Sequence, residues 1–305
     1  MFGFIDINGN EIIAPEYDQA YSFLEGYACV KKGDKYYYIN LKGEVIDPGP
    51  YTHCRPFSSG LAPVSNQFNK LGYIDKSFTL KIPCEYDKDS TIFQKNYAVV
   101  IREGVRHVIN QEDQIVLSGI SDLLRITEGL GMVLRNGRYG FIDITGQVVI
   151  PCEWELATLF NEGFATGMKD DLFSIIDRSG KEMVKPQYNY ISPFNEGIAF
   201  FKKANKFGFI NFNGEEIISP QFKEAKQFSN GLAPVRNKKR WGYIDVKGAV
   251  TIDFQFDEAH PFNNGYANVV YQDEWAIIDT QGKIYTYPKY SWIGNYSEGF
   301  IGVIK

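Results

Sequence analysis

The sequence predicts an all-β fold of tandem ~34-residue repeats, each a short antiparallel meander, stacked as an open β-solenoid or superhelix; a closed propeller-like ring is the alternative. Three observations point there. An Ile followed by Asp or Asn recurs at Ile5, Ile39, Ile74, Ile109, Ile142, Ile176, Ile210, Ile244 and Ile278, with every spacing between 33 and 35 residues. Aromatic residues are abundant, with 23 Phe, 20 Tyr and 4 Trp in 305 residues, and such side chains favour strands over helices. Short apolar runs are separated by polar turns, as in "GLAPVRNKKRWGYIDVKGAVTI" at 231–252.

Each element of a unit follows from that stretch. "LAPV" and "WGYID" read as strands joined by the polar tip "RNKKR", and "VKG" turns "WGYID" into the strand "AVTI". The remainder, "DFQFDEAHPFNN", is expected to be irregular or to carry one short strand. Twelve residues after the Ile stands an aromatic: Tyr17, Tyr51, Tyr86, Trp154, Tyr188, Phe222, Phe256 or Tyr290, with Ser121 the exception. Eighteen after it stands Phe23, Phe57, Phe160, Phe194, Phe228, Phe262 or Tyr296, and a Gly follows three residues later. Apolar residues take both parities in "GFIDITGQVVI" at 140–150, so both faces of the meander are covered. Neighbouring copies do that in arrays whose single units cannot bury their own apolar groups. The units fill 1–305 as a single array with no linker or second domain.

These units resemble the bacterial WG-repeat (KWG-repeat) family, nine times over. "RWGYIDVKG" with "FNNGYANVV", and "FGFINFNGEEIISPQF" with "FSNGLAPV", carry the resemblance across the whole chain. It implies a β-rich interaction module and no catalysis. The chain departs from the family at the pair itself: Leu71, Arg106 and Tyr36 replace Trp, and Tyr37, His107, Ser174 and Ala276 replace Gly.

The acid after the Ile is Asp6, Asn40, Asp75, Asn110, Asp143, Asp177, Asn211, Asp245 or Asp279, and Gly follows three residues later in most copies. Asp/Asn-x-x-Gly marks a turn in which the side-chain oxygen bonds the backbone two residues on and Gly takes positive φ. A calcium loop needs several spaced oxygen ligands and a distal bidentate Glu, which these positions lack. No catalytic residue, cofactor site or metal site is expected. His53, His107 and His260 occupy three different places in the repeat, and Glu153 with Glu155 reads as a solvated acidic pair. Cys29, Cys54, Cys84 and Cys152 are expected to be structural thiols.

No apolar run is long enough to span a membrane, and no signal peptide is seen, so a full-length chain is expected in the cytoplasm. The net charge of −5 gives no global case for nucleic acid. Charge is nevertheless sorted by position: the tips before "WGYID" are net basic, and the connections toward Phe-x-x-Gly are net acidic. The basic tips peak at Lys202, Lys203 and Lys206, then at Arg236, Lys238, Lys239 and Arg240. These seven residues form the candidate partner-binding rim. The expected function is a non-catalytic scaffold for a protein or glycan partner, with a polyanion or nucleic-acid binder as the alternative. Repeats three and four depart from the pattern over 101–131, which reads as drift on a retained apolar skeleton. The ends "MFGFID" and "GFIGVIK" are the two halves of one split meander.

Overall fold

The computed structural model describes residues 1–47, 49–287 and 289–305. Among them thirty-five strands form nine antiparallel sheets, and there is no helix. The chain divides into two compact units, 1–121 with 287–305, and 122–286.

The second unit holds five four-stranded sheets, each a meander in sequence order. One of them runs Glu224–Ala225, Leu232–Arg236, Trp241–Asp245, Val250–Phe256. The segment expected to be irregular therefore divides. "DFQF" prolongs one sheet's last strand, and the next two residues, Glu258–Ala259, open the following sheet. The last strand is bulged: Trp241 pairs with Phe256, Tyr243 with Ile252 and Ile244 with Val250. Two residues of one strand thus face four of the other.

That bulge explains the Gly of the aromatic-Gly pair. A Cβ on Gly242 would lie 2.7 Å from the Ile252 carbonyl oxygen, and one on Gly208 would lie 2.4 Å from that of Ile218. At Ala276 and His107, where the Gly is missing, the bulge opposite that position is missing too, and at Ser174 its contact is converted. Ala276 sits in an unbulged pairing with Ile284–Thr286, and His107 pairs directly with Ser118. Ser174 faces a bulge, and its hydroxyl donates to the Val184 carbonyl at 2.5 Å.

The first unit holds four sheets, one of them three-stranded: Tyr97–Arg102, Val105–Asn110 and Ile115–Ser118. This is the divergent third-to-fourth repeat. Its leading strand is absent, and the buried Ser90 hydroxyl accepts the Ile101 amide (2.9 Å) in that strand's place. In the other unit, 122–130 straightens into one hairpin, in which Leu123–Thr127 replaces a short strand plus loop.

The open solenoid is not what forms; the closed, propeller-like alternative is. Phe2–Ile5 pairs with Glu11–Tyr17 on one side and with Phe300–Ile304 on the other. The rungs Phe2 to Ile304, Gly3 to Val303, Phe4 to Gly302 and Ile5 to Ile301 join first and last residues in one four-stranded sheet. Left apart, each end would expose a row of unpaired amides and carbonyls; pairing removes both edges.

Successive repeats are joined by a recurring aromatic pair. The buried Phe of the Phe-x-x-Gly segment meets the ring of the preceding repeat's central strand: Phe4–Phe23 at 4.9 Å, Tyr73–Phe93 at 4.9 Å, Phe141–Phe160 at 4.8 Å, Phe209–Phe228 at 4.8 Å. A polar side chain adds a second link to the next repeat. Ser58 Oγ donates to the Phe93 carbonyl (2.7 Å), Asn161 Nδ2 to that of Phe194 (2.8 Å), and Asn195 Nδ2 to that of Phe228 (2.7 Å). Ser297 Oγ donates to the Phe23 carbonyl (2.6 Å), so the two ends treat each other as ordinary neighbours.

One cysteine expectation needs correction. Cys29 and Cys54 are fully buried on adjacent sheets with Cα atoms 6.1 Å apart, and they form a disulfide; Cys84 and Cys152 are free. Twenty-five residues separate the bonded pair in sequence, and only the stacking of sheets brings them together.

Candidate functional site

The recurrent acid is a turn residue in all nine copies. The amides two and four residues on donate to the same side-chain oxygen at 2.8–3.1 Å, as Lys247 and Ala249 do to Asp245 Oδ1. Gly248 closes the turn at φ 83°. Hydroxyls reinforce some copies. The Ser77 hydroxyl holds the Asp75 carboxyl below its ordinary range, and Thr145 does the same for Asp143. Among the described residues no three His, Cys, Asp or Glu side chains are gathered as metal ligands would be.

A second recurrent acid escaped the sequence reading. Glu25, Glu162 and Glu196 precede the Gly of Phe-x-x-Gly, Glu128 and Glu298 precede the matching Gly after Ile126 and Tyr296, and each takes positive φ (50–57°) in a tight turn. Each carboxylate accepts amides from the same turn one repeat on. Glu162 accepts those of Glu196 (2.9 Å) and Gly197 (2.8 Å), and Glu196 accepts those of Asn230 (2.7 Å) and Gly231 (3.0 Å). Glu298 accepts the Gly26 amide at 2.9 Å, continuing the series across the joined ends. The signal was present in sequence, because the acid keeps the repeat's period.

The candidate rim lies on two hairpin tips of the second unit. Lys203 and Lys206 face each other across one tip; Arg236 and Trp241 flank the longer tip Asn237–Arg240, whose last residue is Arg240. Three of the seven cations are engaged by carboxylates. Lys203 pairs with Glu216 (2.9 Å), Arg236 with Glu224 (2.6 Å), and Arg240 with Asp257. The same arrangement recurs elsewhere, as Lys32–Glu16 and Arg138–Glu155. The long last strand runs back to the tip, so acids of the connection arrive beside the tip cations. Basic and acidic segments distinct in sequence thus meet at one edge. Among the described residues Lys202 and Lys206 have no carboxylate partner; Lys202 stands over the Phe207 ring at 5.9 Å, and Lys206 donates to the Gln221 carbonyl at 3.4 Å. Lys238 and Lys239 are exposed, and no ion pair engages them among the described residues.

Two grooves open beside these tips. The larger, about 510 Å³, is lined by Tyr190, Phe200, Phe207 and Trp241, with Lys202 and Lys226 among the charged groups. The smaller, about 350 Å³, includes Lys206, Lys223, Lys238, Phe222 and Phe254. The structure therefore brings Lys202 to one groove and Lys206 with Lys238 to the other. Tyr190, Phe200, Trp241 and Lys226 were missed as site residues, because groove walls come from two successive repeats.

No curated protein matches the chain. Among solved structures, one described as a eukaryotic initiation factor superposes with a TM-score of 0.61 at 8% identity, covering 94% of this chain and 95% of that one. The computationally designed Ika8 protein gives 0.47 at 13% identity over 82% of this chain and 94% of its own. BamB from Moraxella catarrhalis gives 0.46 at 9% identity, over 98% and 97%. The first shows a shared fold and nothing about activity. A family model for the WG-containing repeat matches residues 2–36, 38–67, 72–104, 139–172, 173–207, 207–241, 241–275 and 275–305. The unmatched 105–138 holds the last two strands of the three-stranded sheet and the start of the straightened hairpin that follows. With eight segments matched from end to end, the chain belongs to the WG-repeat family.

Proposed function

We propose that this protein is a non-catalytic interaction scaffold that presents its variable hairpin tips and the grooves beside them to a protein or glycan partner. One observation carries the reading: the polar residues that recur are committed to the fold. The Asp/Asn series closes turns, and the Glu series caps the turns of the next repeat. Cations not paired with a carboxylate among the described residues lie where copies differ, at Lys202, Lys206, Lys238 and Lys239, beside the two grooves. Affinity capture with the intact chain, compared with a Lys238→Glu, Lys239→Glu variant and a Phe200→Ala variant, tests it. A discrete partner retained at high salt and lost with one of these folded variants is expected. Capture that neither variant alters would contradict the assignment to tips and grooves.

The alternative is a polyanion binder. It draws support from the four lysines without carboxylate partners, and ion pairing of Lys203, Arg236 and Arg240 counts against it. Retention on heparin or DNA that falls steeply with salt would favour it.

A further inference from the structure

The larger groove lies between the sheet containing Tyr190–Ile191 and the one containing Glu224–Ala225. Two of its rings are peculiar to this place in the array. Strand register puts Tyr190 where other sheets carry Gln19, His53, Leu156, Glu224 or Glu258. The same register puts Phe200 where others carry Cys29, Pro63, Val99, Met132, Thr166, Pro234 or Asn268. Those other sheets fold without Tyr or Phe at either position; here Phe200 packs against the core that holds Phe209 and Phe228, and Tyr190 lies against Phe173 and Phe200. Tyr190 remains 37% exposed, although a ring of that size gains from burial.

The charges in the groove are unbalanced. Its acid, Glu224, is already engaged by Arg236 at 2.6 Å. Among the described residues Lys202 has no carboxylate partner. Lys226 stands 5.1 Å over the Trp241 ring, and its nearest carboxylate, Glu258, is 3.8 Å away and also receives His260 at 3.0 Å. Burial lowers the Lys226 pKa, an effect that carboxylates nearby only partly oppose. A third carboxylate arriving in the groove would meet Lys202 and the partly buried Lys226, each held against a ring face.

We propose that this groove docks a peptide segment of a partner protein that carries a bulky apolar side chain beside a carboxylate. The inference rests on the scaffold reading and names its site. A neutral sugar would leave the charges of Lys202 and Lys226 unanswered, which an acidic peptide does not. An aromatic or large aliphatic side chain fits the ring-lined floor, and its acidic neighbour reaches the lysines at the mouth.

The test uses the intact chain and three capped pentapeptides: Gly-Asp-Phe-Asp-Gly, its Asn-Phe-Asn analogue and its Asp-Ala-Asp analogue. Binding is followed by amide and indole NMR shifts. Saturable shifts at the Trp241 indole and the Lys202 amide are expected, with Kd on the order of 0.1–1 mM for so short a probe. Each analogue is expected to bind at least about tenfold more weakly, a loss of roughly 1.4 kcal/mol or more. Lys202→Glu and, independently, Lys226→Met should weaken the Asp-Phe-Asp peptide, while Lys239→Glu should not. Equal binding of the Asn analogue, unchanged affinity in both lysine variants, or no saturation by about 5 mM would overturn the proposal. None of these results touches the capture of a partner through the tips, which fails or succeeds separately.

Discussion

Gly242 shows how a single atom sets the form of a repeat. The hydrogen in place of a Cβ lets the bulged last strand lay its backbone 2.7–3.1 Å from where that Cβ would be. Gly242→Ala should therefore lower stability by about 1–3 kcal/mol, the usual range for an overpacked site. Gly242→Ser should cost less than Ala, because a hydroxyl there can donate to the Ile252 carbonyl as Ser174 does to Val184. Urea midpoints of the two variants check the order. His53, His107 and His260 make a separate prediction. Burial is the leading cause that lowers the pKa of each below its ordinary 6.5. The unfolded chain then takes up protons near pH 6.5 while the folded chain resists, so stability is full above that pH and falls as the pH drops below it. Asp75 and Asp143, shifted down from 3.8, act the same way in a lower window: their contribution is present above pH 3.8 and is lost as pH falls through their folded values. Denaturation midpoints at pH 8, 5.5 and 3 should step down twice, and replacing the three histidines by Gln should remove only the first step.

At the scale of the element, two acidic series do different work. The Asp/Asn series bonds within its own turn, and the Glu series bonds the turn of the next repeat. Glu162→Ala removes the acceptor of the Glu196 and Gly197 amides and should cost about 1–2 kcal/mol, while Glu162→Gln, which keeps one acceptor oxygen, should cost about half of that. Hydrogen exchange at Gly197 reads the effect directly, and no change in exchange for Glu162→Ala would contradict the link. The first series was legible in the sequence because its bonds span two and four residues. The second was legible only as a period; its bonding was not, because each partner lies about one whole repeat away. The same limit hid the ion pairs. Arg240 and Asp257 are 17 residues apart, and a bulged strand must run its full length before they meet. The Cys29–Cys54 bond and the ring-lined groove depend on neighbouring sheets in the same way.

For the whole molecule, the period of the repeat and its strand content were readable because each unit repeats a local pattern. Closure was not. Whether an array of meanders stays open depends on the small rotation between neighbours, which no single repeat's local pattern states. The split meander at the ends did name both outcomes, and pairing of four rungs between Phe2–Ile5 and Phe300–Ile304 selects the closed one. Ser297 and Glu298 then repeat across the junction the bonds that Ser58 and Glu25 make inside the chain. The most direct measurement is the distance between spin labels attached at Met1 and Lys305, read by electron–electron dipolar spectroscopy in the full chain. Paired ends about 5 Å apart, lengthened by the label tethers, should give a narrow distribution below roughly 25 Å. A broad distribution, or one centred beyond about 50 Å as nine sheets stacked roughly 10 Å apart would require, would contradict closure.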